Sequence, residues 1–466
     1  MKKTINQLFG GLLLLTSTAA GAQQRHEFSV QEAVDYARKN SVQVKNALIG
    51  VGIQKQTNRE ITAAAFPQIN GNVGVVYNPN VAIQKFPNFI AAATYGVLEN
   101  EGVKDGSGVP IKSPNDFGFI EAQFGTKYNS NFGVSLQQLL FEGQVFVGLQ
   151  ARQTSIDYVN KNVEVTEENI KANIHKIYFQ LVASKAQLQM LDANIARFKK
   201  LQNDTRAMYE NGFAEKVEVS RAAVQLANAE TERTKALNGI QNGYLGLKLL
   251  LGMPTNDTLV LTDTITYESI KDGVLDNLSY LHRDRKEYQL AELGKRLREF
   301  DIKRYRLTYF PTVGIYGSYN RIGQGTRFTF FTGTNWFPSS AVGLNISIPI
   351  FDGFAKDARI KRAQLQLQQT ENEIDALKLS IDQEVNQALN NYKSALATLD
   401  VQKRNIELAE QVYNQTKLKR EQGMGTTLEI TSAQSDLQIA QSNYILALYD
   451  AISAKVDFLK ATGKLQ

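Results

Sequence analysis

Cysteine is absent from the 466-residue chain, which rules out a disulfide framework, a thiolate metal site and a cysteine nucleophile. Histidine occurs three times, at His26, His175 and His282, never within a helical turn of another, so no local histidine cluster can hold a metal ion. There is no Gly-rich phosphate loop ending in Lys-Ser or Lys-Thr, no helix with two His one turn apart, and no nucleophile elbow. Carboxylate pairs such as Glu167 with Glu168 and Asp284 with Glu287 fall in helical segments and read as solvated faces. These absences argue against an enzyme, and no cofactor is implied.

Long hydrophobic runs are equally scarce. Beyond the N-terminus no segment offers about 18 consecutive apolar residues, which excludes helical membrane spans downstream but not alternating strands. The start, MKKTINQLFGGLLLLTSTAAGAQQ, carries Lys2 and Lys3, an apolar run through Leu15, and Ala20 and Ala22 where a signal peptidase accepts small residues. Residues 1–22 are therefore expected to be a cleaved export signal. Without cysteine the mature N-terminus carries no lipid anchor. A hydrophobic fraction of 43%, a charged fraction of 21% and a formal net charge of +6 describe a folded chain.

What the chain does have is repetition. FPQINGNVGVVY from Phe66, SNFGVSLQQLLFEG ending at Gly143 and YENGFAEKVEVSRAAVQLANAE from Tyr209 are followed, in the same order, by FPTVGIYGSYN from Phe310, SAVGLNISIPIFDG ending at Gly353 and REQGMGTTLEITSAQSDLQIAQ from Arg420. The Phe-Glu-Gly and Phe-Asp-Gly units are 210 residues apart and Gly212 and Gly423 are 211 apart, a spacing kept as a rigid element requires and a loop does not. From Ala355 to Glu421 there is neither Pro nor Gly, and Ile374, Leu377, Ile381, Val385, Leu389, Tyr392, Leu396 and Leu399 step by three and four. Gln144 to Asn211 contains only Gly148 and a similar stripe, Ile170, Ile174, Ile177, Leu181, Leu188 and Ile195. Each predicts a helix roughly 100 Å long at about 1.5 Å per residue, too long for a compact globule.

Returning helices over Val217 to Leu250 and Leu428 to Leu459 complete two αα-hairpins around the NG and QG turns, with Ala222, Ala229, Ala433 and Ala440 at positions that permit close packing. Two further helices, about Val30 to Ala65 and Leu278 to Thr308, precede the Phe-Pro units. The expected organisation is a first repeat over 23–252 (helix, two strands, long helix, returning helix), a connector over 253–273, a second repeat over 274–463 and a tail over 464–466.

Four short segments alternate with period two. Ile69, Val73, Val75 and Tyr77 oppose Gln68, Asn70, Asn72 and Gly74, while Phe132, Val134 and Leu136 oppose Asn131, Gly133, Ser135 and Gln137. In the second half Val313, Ile315 and Tyr319 alternate with Thr312, Gly314 and Ser318, and Val342, Leu344, Ile346 and Ile348 with Gly343, Asn345 and Ser347. A half-buried soluble sheet has the same period. With an export signal the pattern also fits transmembrane β-strands, and because a closed barrel needs at least about eight, four strands require association, as eight from a dimer or twelve from a trimer. The intervening stretches, Pro79 to Lys127 and Arg321 to Ser339, read as surface loops; Trp336 and Phe337 fit an interfacial belt or a packed loop equally. The basic run Lys295, Arg296, Arg298, Lys303, Arg304 and Arg306 is balanced by Glu292, Glu299 and Asp301, and reads as a solvated helix face or a contact near lipid headgroups rather than a nucleic-acid stripe.

The final hairpin, EQGMGTTLEITSAQSDLQIAQSNYILALYDAISAKVDFLKATG from Glu421 to Gly463, resembles the terminal hairpin of the TolC-type outer-membrane efflux protein family, and Glu210 to Gly252 resembles its first-half counterpart. The Phe-Pro strand starts and the FEG and FDG exits fit the same family. The resemblance implies a mixed α and transmembrane β fold, internally duplicated. Three protomers would each give four strands to a twelve-stranded barrel in the outer membrane, continued by a long α-helical barrel in the periplasm. It further implies a passive exit duct of a tripartite efflux or type I-like secretion system, docked by a periplasmic adaptor that links it to an inner-membrane pump. In that family the turns near Gly212, Phe213, Gly423, Met424, Gly425, Thr426 and Thr427 form the periplasmic tip and meet the adaptor. A family pattern Leu-Asp-Val-Leu-Asp-Ala-Gln, which forms a cation-sensitive constriction, corresponds here to Leu428-Glu429-Ile430-Thr431-Ser432-Ala433-Gln434. Glu429 keeps the first carboxylate and Ser432 replaces the second. The competing expectation is an exported coiled-coil scaffold or adhesin without channel activity.

Overall fold

The computed structural model describes residues 24–271, 279–331 and 336–465. The expected export signal at 1–22 lies outside these residues, as do parts of the connector and of the second loop. In chain order the elements are β1 (Arg25–Phe28), α1 (Val30–Asn40), α2 (Val42–Ala63), β2 (Gln68–Tyr77), β3 (Ile83–Pro87), α3 (Phe89–Asn100), β4 (Phe119–Gln123), β5 (Tyr128–Phe141), α4 (Gly143–Glu210), α5 (Lys216–Leu251), β6 (Thr258–Leu261), α6 (Tyr267–Lys271), α7 (Lys286–Arg306), β7 (Thr312–Gly325), β8 (Trp336–Ser347), α8 (Ala355–Glu421) and α9 (Thr427–Ala461). The order strand, strand, long helix, returning helix runs twice. None of the described helices is long and apolar enough to cross a membrane.

Two compact units divide the chain, and each takes segments from both halves of the sequence. The first comprises the described residues of 1–56, 151–299 and 363–466; the second comprises 57–150 and 300–362.

In the first unit the core follows the predicted stripes, with Ile177, Leu188, Ile195, Leu377, Leu389 and Leu396 only partly buried and Tyr178 added. Ile170, Ile174, Tyr178 and Leu181 of α4 bury against Ala33, Val34 and Ala37 of α1 and Leu247 and Leu251 of α5. Tyr392 and Leu399 of α8 bury with Ile445, Leu448 and Ile452 of α9. Nearer the hairpin turns, Phe198 and Leu201 of α4, Ala229 of α5 and Ile430 of α9 form one cluster that joins the two hairpins. Ala222, Ala229, Ala433 and Ala440 are all buried, as close helix packing requires.

The segment expected as one helix over Val30 to Ala65 breaks at Ser41, whose backbone N–H caps α1 on Ala37 before the chain turns extended. A short parallel pair, β1 with β6, was not anticipated. Tyr178 ties this pair to α4: its hydroxyl donates to the Phe28 carbonyl at 2.8 Å and accepts from the N–H groups of Thr262 and Asp263 at 3.1 and 3.0 Å. The Thr262 N–H also donates to the Phe28 carbonyl at 3.1 Å, so Tyr178→Phe keeps the packing and that bond but leaves the Asp263 N–H without the hydroxyl, and a loss of about 1–3 kcal/mol is expected. Chemical denaturation of the solubilised protein should show a lower midpoint at unchanged slope; an unchanged midpoint would show that water replaces the hydroxyl without cost.

The second unit holds a four-stranded antiparallel sheet in the order β2-β5-β7-β8, so the two repeats meet at the central β5–β7 pairing. Cross-strand partners share a face. The register Val73↔Phe132, Phe132↔Arg321, Val134↔Tyr319, Gly317↔Val342 and Ile315↔Leu344 therefore brings all four apolar rows onto one side and leaves Asn70, Asn72, Asn131, Ser135, Ser318 and Asn345 on the other. The apolar side has no cover among the described residues: Val73 is 74% exposed and Val342 85%. Among the described residues β2 and β8 each pair on one side only. Helices α2, α4, α7 and α8 join the sheet at one end, here the helix end; the other is the loop end. The stretch read as a loop, 79–127, contains a hairpin of β3 with β4 and helix α3.

Candidate functional site

The sequence singles out the two helix-hairpin turns, both in the first unit, and they share one backbone solution. Gly212 and Gly423 follow the last helical residues in the left-handed conformation, at φ +79° and +75°. The Gly212 and Gly423 N–H groups reach back to Tyr209 and Arg420, and those of Phe213 and Met424 to Met208 and Lys419, which closes both long helices in the same double hydrogen-bonded turn. The residue after each glycine is apolar and bare, with Phe213 80% and Met424 67% exposed. Gly425 has an ordinary φ; it is small because a Cβ there would press on the Arg420 backbone at 3.0–3.1 Å.

Both threonines expected at the start of α9 are placed. Thr426 is the N-cap and accepts from the Glu429 N–H at 3.2 Å. Thr427 instead reaches the other hairpin, donating to Glu218 of α5 at 3.3 Å. Arg420, at the end of α8, makes a second link between the hairpins through Thr205 and Met208 of α4, at 3.5 and 3.7 Å. Sequence reading missed Arg420, Thr205, Met208 and Glu218. The repeat hides this link, because the position 211 residues before Arg420 is Tyr209.

Glu429 and Ser432 both lie exposed on α9, with Asp436 one turn beyond on the same side. The Glu429 carboxylate receives the Lys419 ammonium at 3.0 Å, an ion pair closed within its own hairpin. That hydrogen bond, and then the Lys419 charge, hold the carboxyl below its ordinary 4.5. A depressed carboxyl stabilises the pair above the ordinary value and loses it as the pH falls through the lowered one, so the contact is intact at neutral pH and opens only in acid.

The three histidines serve separate contacts. His26 faces Asp257 at 3.4 Å, and His282 faces Asp382, 2.7 Å away, which also receives the Tyr280 hydroxyl. His175 is kept neutral by burial and the nearby Lys171 charge, which lower its pKa to about 4. Among the described residues no three His, Asp or Glu groups converge as metal ligands. In the basic run Lys295 pairs with Glu371 at 2.9 Å, Arg304 with Asp301 at 3.2 Å, and Lys303 donates to Gln150 at 2.6 Å.

The sequence profile described as "Outer membrane efflux protein" matches residues 284–464, from just before α7 to the C-terminal end of the described chain. Similarity extends over the rest as well: outer membrane efflux protein BepC of Brucella suis biovar 1 (strain 1330) is 20% identical over 473 aligned residues, covering 99% of this chain and 91% of that protein. The C-terminal part of the chain thus matches the outer-membrane efflux protein family, and similarity to a protein of that kind runs over the rest. Solved structures of outer-membrane channels share the fold. CusC, a protein solved for its transmembrane channel formation, superposes with a TM-score of 0.71 at 15% identity, over 93% of this chain and 92% of that one. The Neisseria gonorrhoeae outer membrane channel MtrE gives 0.67 at 16%, over 94% and 89%. The sequence and fold are similar to those of outer-membrane efflux and secretion proteins.

Proposed function

We propose that the protein is the outer-membrane exit duct of a tripartite efflux or type I-like secretion system. Three copies close their sheets, β8 of one against β2 of the next, into a twelve-stranded barrel that the hairpins continue into the periplasm. The carrying observation is the two-faced sheet with a bare apolar side, a polar side and two unpaired edges. Lipid accepts no open edge, so a sheet that turns its apolar face to hydrocarbon must close with further copies.

Its dimensions fit. Strands of 10 to 14 residues at about 3.3 Å per residue and roughly 40° of tilt rise about 25–35 Å, the height of a bilayer core. Aromatic residues mark both ends of the strands. Phe66, Phe141, Phe310 and Phe351 stand at the helix end, which gives the doubled Phe-Pro, FEG and FDG motifs a physical role. Tyr77, Tyr128 and Trp336 stand at the loop end, with ring contacts such as Tyr77 to Tyr128 at 4.8 Å.

At the hairpin turns Phe213 and Met424 offer an adaptor two matched apolar contacts. Arg420 and Thr427 hold the hairpins together until the adaptor binds the open arrangement more tightly than the closed one. Glu429 and Ser432 line the constriction, where Lys419 tempers the acidic ring. In planar lipid bilayers the purified protein should give discrete, cation-preferring conductance steps, and Glu429→Gln should lower that preference while Lys419→Met raises it. Absence of conductance from a verified oligomer would favour a scaffold; selectivity indifferent to both substitutions would remove Glu429 from the pathway.

A further inference from the structure

The 79–127 insert carries an apolar surface that the described residues of its own chain leave uncovered. Helix α3, FIAAATYGVLEN, buries none of its residues, and Phe89 is 56% and Val97 61% exposed. Twelve residues make a marginal helix in water without tertiary support. Here the support among the described residues is slight: the Asn88 cap onto the Ala91 N–H, the Glu99 carboxylate accepting from the Ser113 N–H, and a ring contact from Tyr95 to Phe117 at 5.8 Å.

Lipid does not suit as the cover. The insert lies beyond the loop-end aromatic residues Tyr77 and Tyr128, and the β3–β4 hairpin that carries α3 holds an exposed Lys85–Glu121 ion pair at 2.8 Å, which places it in water. Nor does α3 have charge to meet lipid headgroups; Glu99, its one ionisable side chain apart from Tyr95, is committed to the Ser113 N–H at 3.0 Å.

Topology supplies the occupant. The insert leaves the sheet from the loop end of β2, one unpaired edge, while the segment after β7 leads toward β8, the other unpaired edge; there Phe328 packs on Tyr128 of its own chain at 5.9 Å, and Phe331, beside Phe330 at 4.9 Å, stays 84% exposed. When β2 of one copy meets β8 of the next, these two apolar segments become neighbours without any further movement.

We propose that α3 is an inter-subunit clasp, packing at the loop end of the barrel against residues 326–331 of the adjacent copy. The clasp rests on the trimer reading above. It joins copies by side-chain packing where the strand pairing ends, so each seam of the barrel is fastened at its outer rim by an element unrelated to the tip.

A genetically encoded benzophenone residue at position 97, with position 107 in the exposed 105–108 turn as the control, tests this on the full-length oligomer in nanodiscs, its mass measured first. Irradiation should yield chain-to-chain adducts from 97 mapping to 326–331 of a second copy, at least about tenfold more abundant than from 107. Adducts only within the chain, only with lipid, or equal from both positions in a verified trimer overturn the clasp and leave the trimer standing. A preparation that is monomeric by mass overturns both.

Discussion

Val73→Arg is expected to abolish assembly in the outer membrane, whereas Asn72→Arg, one residue away on the same strand, leaves it nearly unchanged. Val73 sits near the middle of β2 on the apolar side, and Asn72 points to the polar side. An arginine facing hydrocarbon at mid-depth costs about 2–4 kcal/mol in each copy, while one facing a wet lumen costs little. The contrast separates a barrel from a soluble sheet, because Val73 is 74% exposed in the single chain and a water-facing site would accept Arg readily. Outer-membrane fractionation with detergent-resistant oligomer as the readout checks it. Equal oligomer from both variants would mean the apolar side does not face lipid.

The second large effect is expected at the tip. With no native cysteine, Glu218→Cys together with Thr427→Cys gives two addressable thiols at the contact that joins α5 to α9. A short bifunctional thiol cross-linker between them should fix the two hairpins and stop export, with barrel insertion and oligomer yield unaffected; a reducible linker should restore export once cleaved. Either cysteine alone, treated identically, should export normally. Full export through demonstrably linked tips would remove the hairpins from gating.

Much of this architecture is legible in the residues because long amphipathic helices report themselves. The Pro- and Gly-free run beginning at Ala355 becomes α8 with both ends where composition places them, and α4 starts one residue before Gln144 and ends one before Asn211. Strand alternation is equally local, so the apolar rows through Val73, Phe132, Ile315 and Val342 are visible before any pairing is known. Sheet order is another matter. That β5 joins β7 across the repeat boundary depends on partners about 190 residues apart, and period two fits any neighbour.

The other omissions have similar causes. β1 and β6 are four residues each, too short for periodicity, and are held together by Tyr178, whose triple hydrogen bond has no sequence signal. The 79–127 stretch is rich in Gly, Pro and Asn and reads as irregular, so α3 and its hairpin are obscured. At the tip, the left-handed glycines and the Thr426 cap follow from local rules. Arg420 reaching Thr205 and Met208 does not, because it links elements more than 200 residues apart.

On the proposed function, three copies pool incomplete sheets into one closed wall. A cryo-electron microscopy reconstruction of the purified protein in lipid nanodiscs tests it most directly. Three-fold symmetry is expected, with twelve strands crossing the lipid, β8 hydrogen-bonded to β2 of the next copy, and Val73 and Val342 turned toward the acyl chains. A single copy beside the disc, or a sheet whose apolar side is covered by protein and never enters the bilayer, would contradict it.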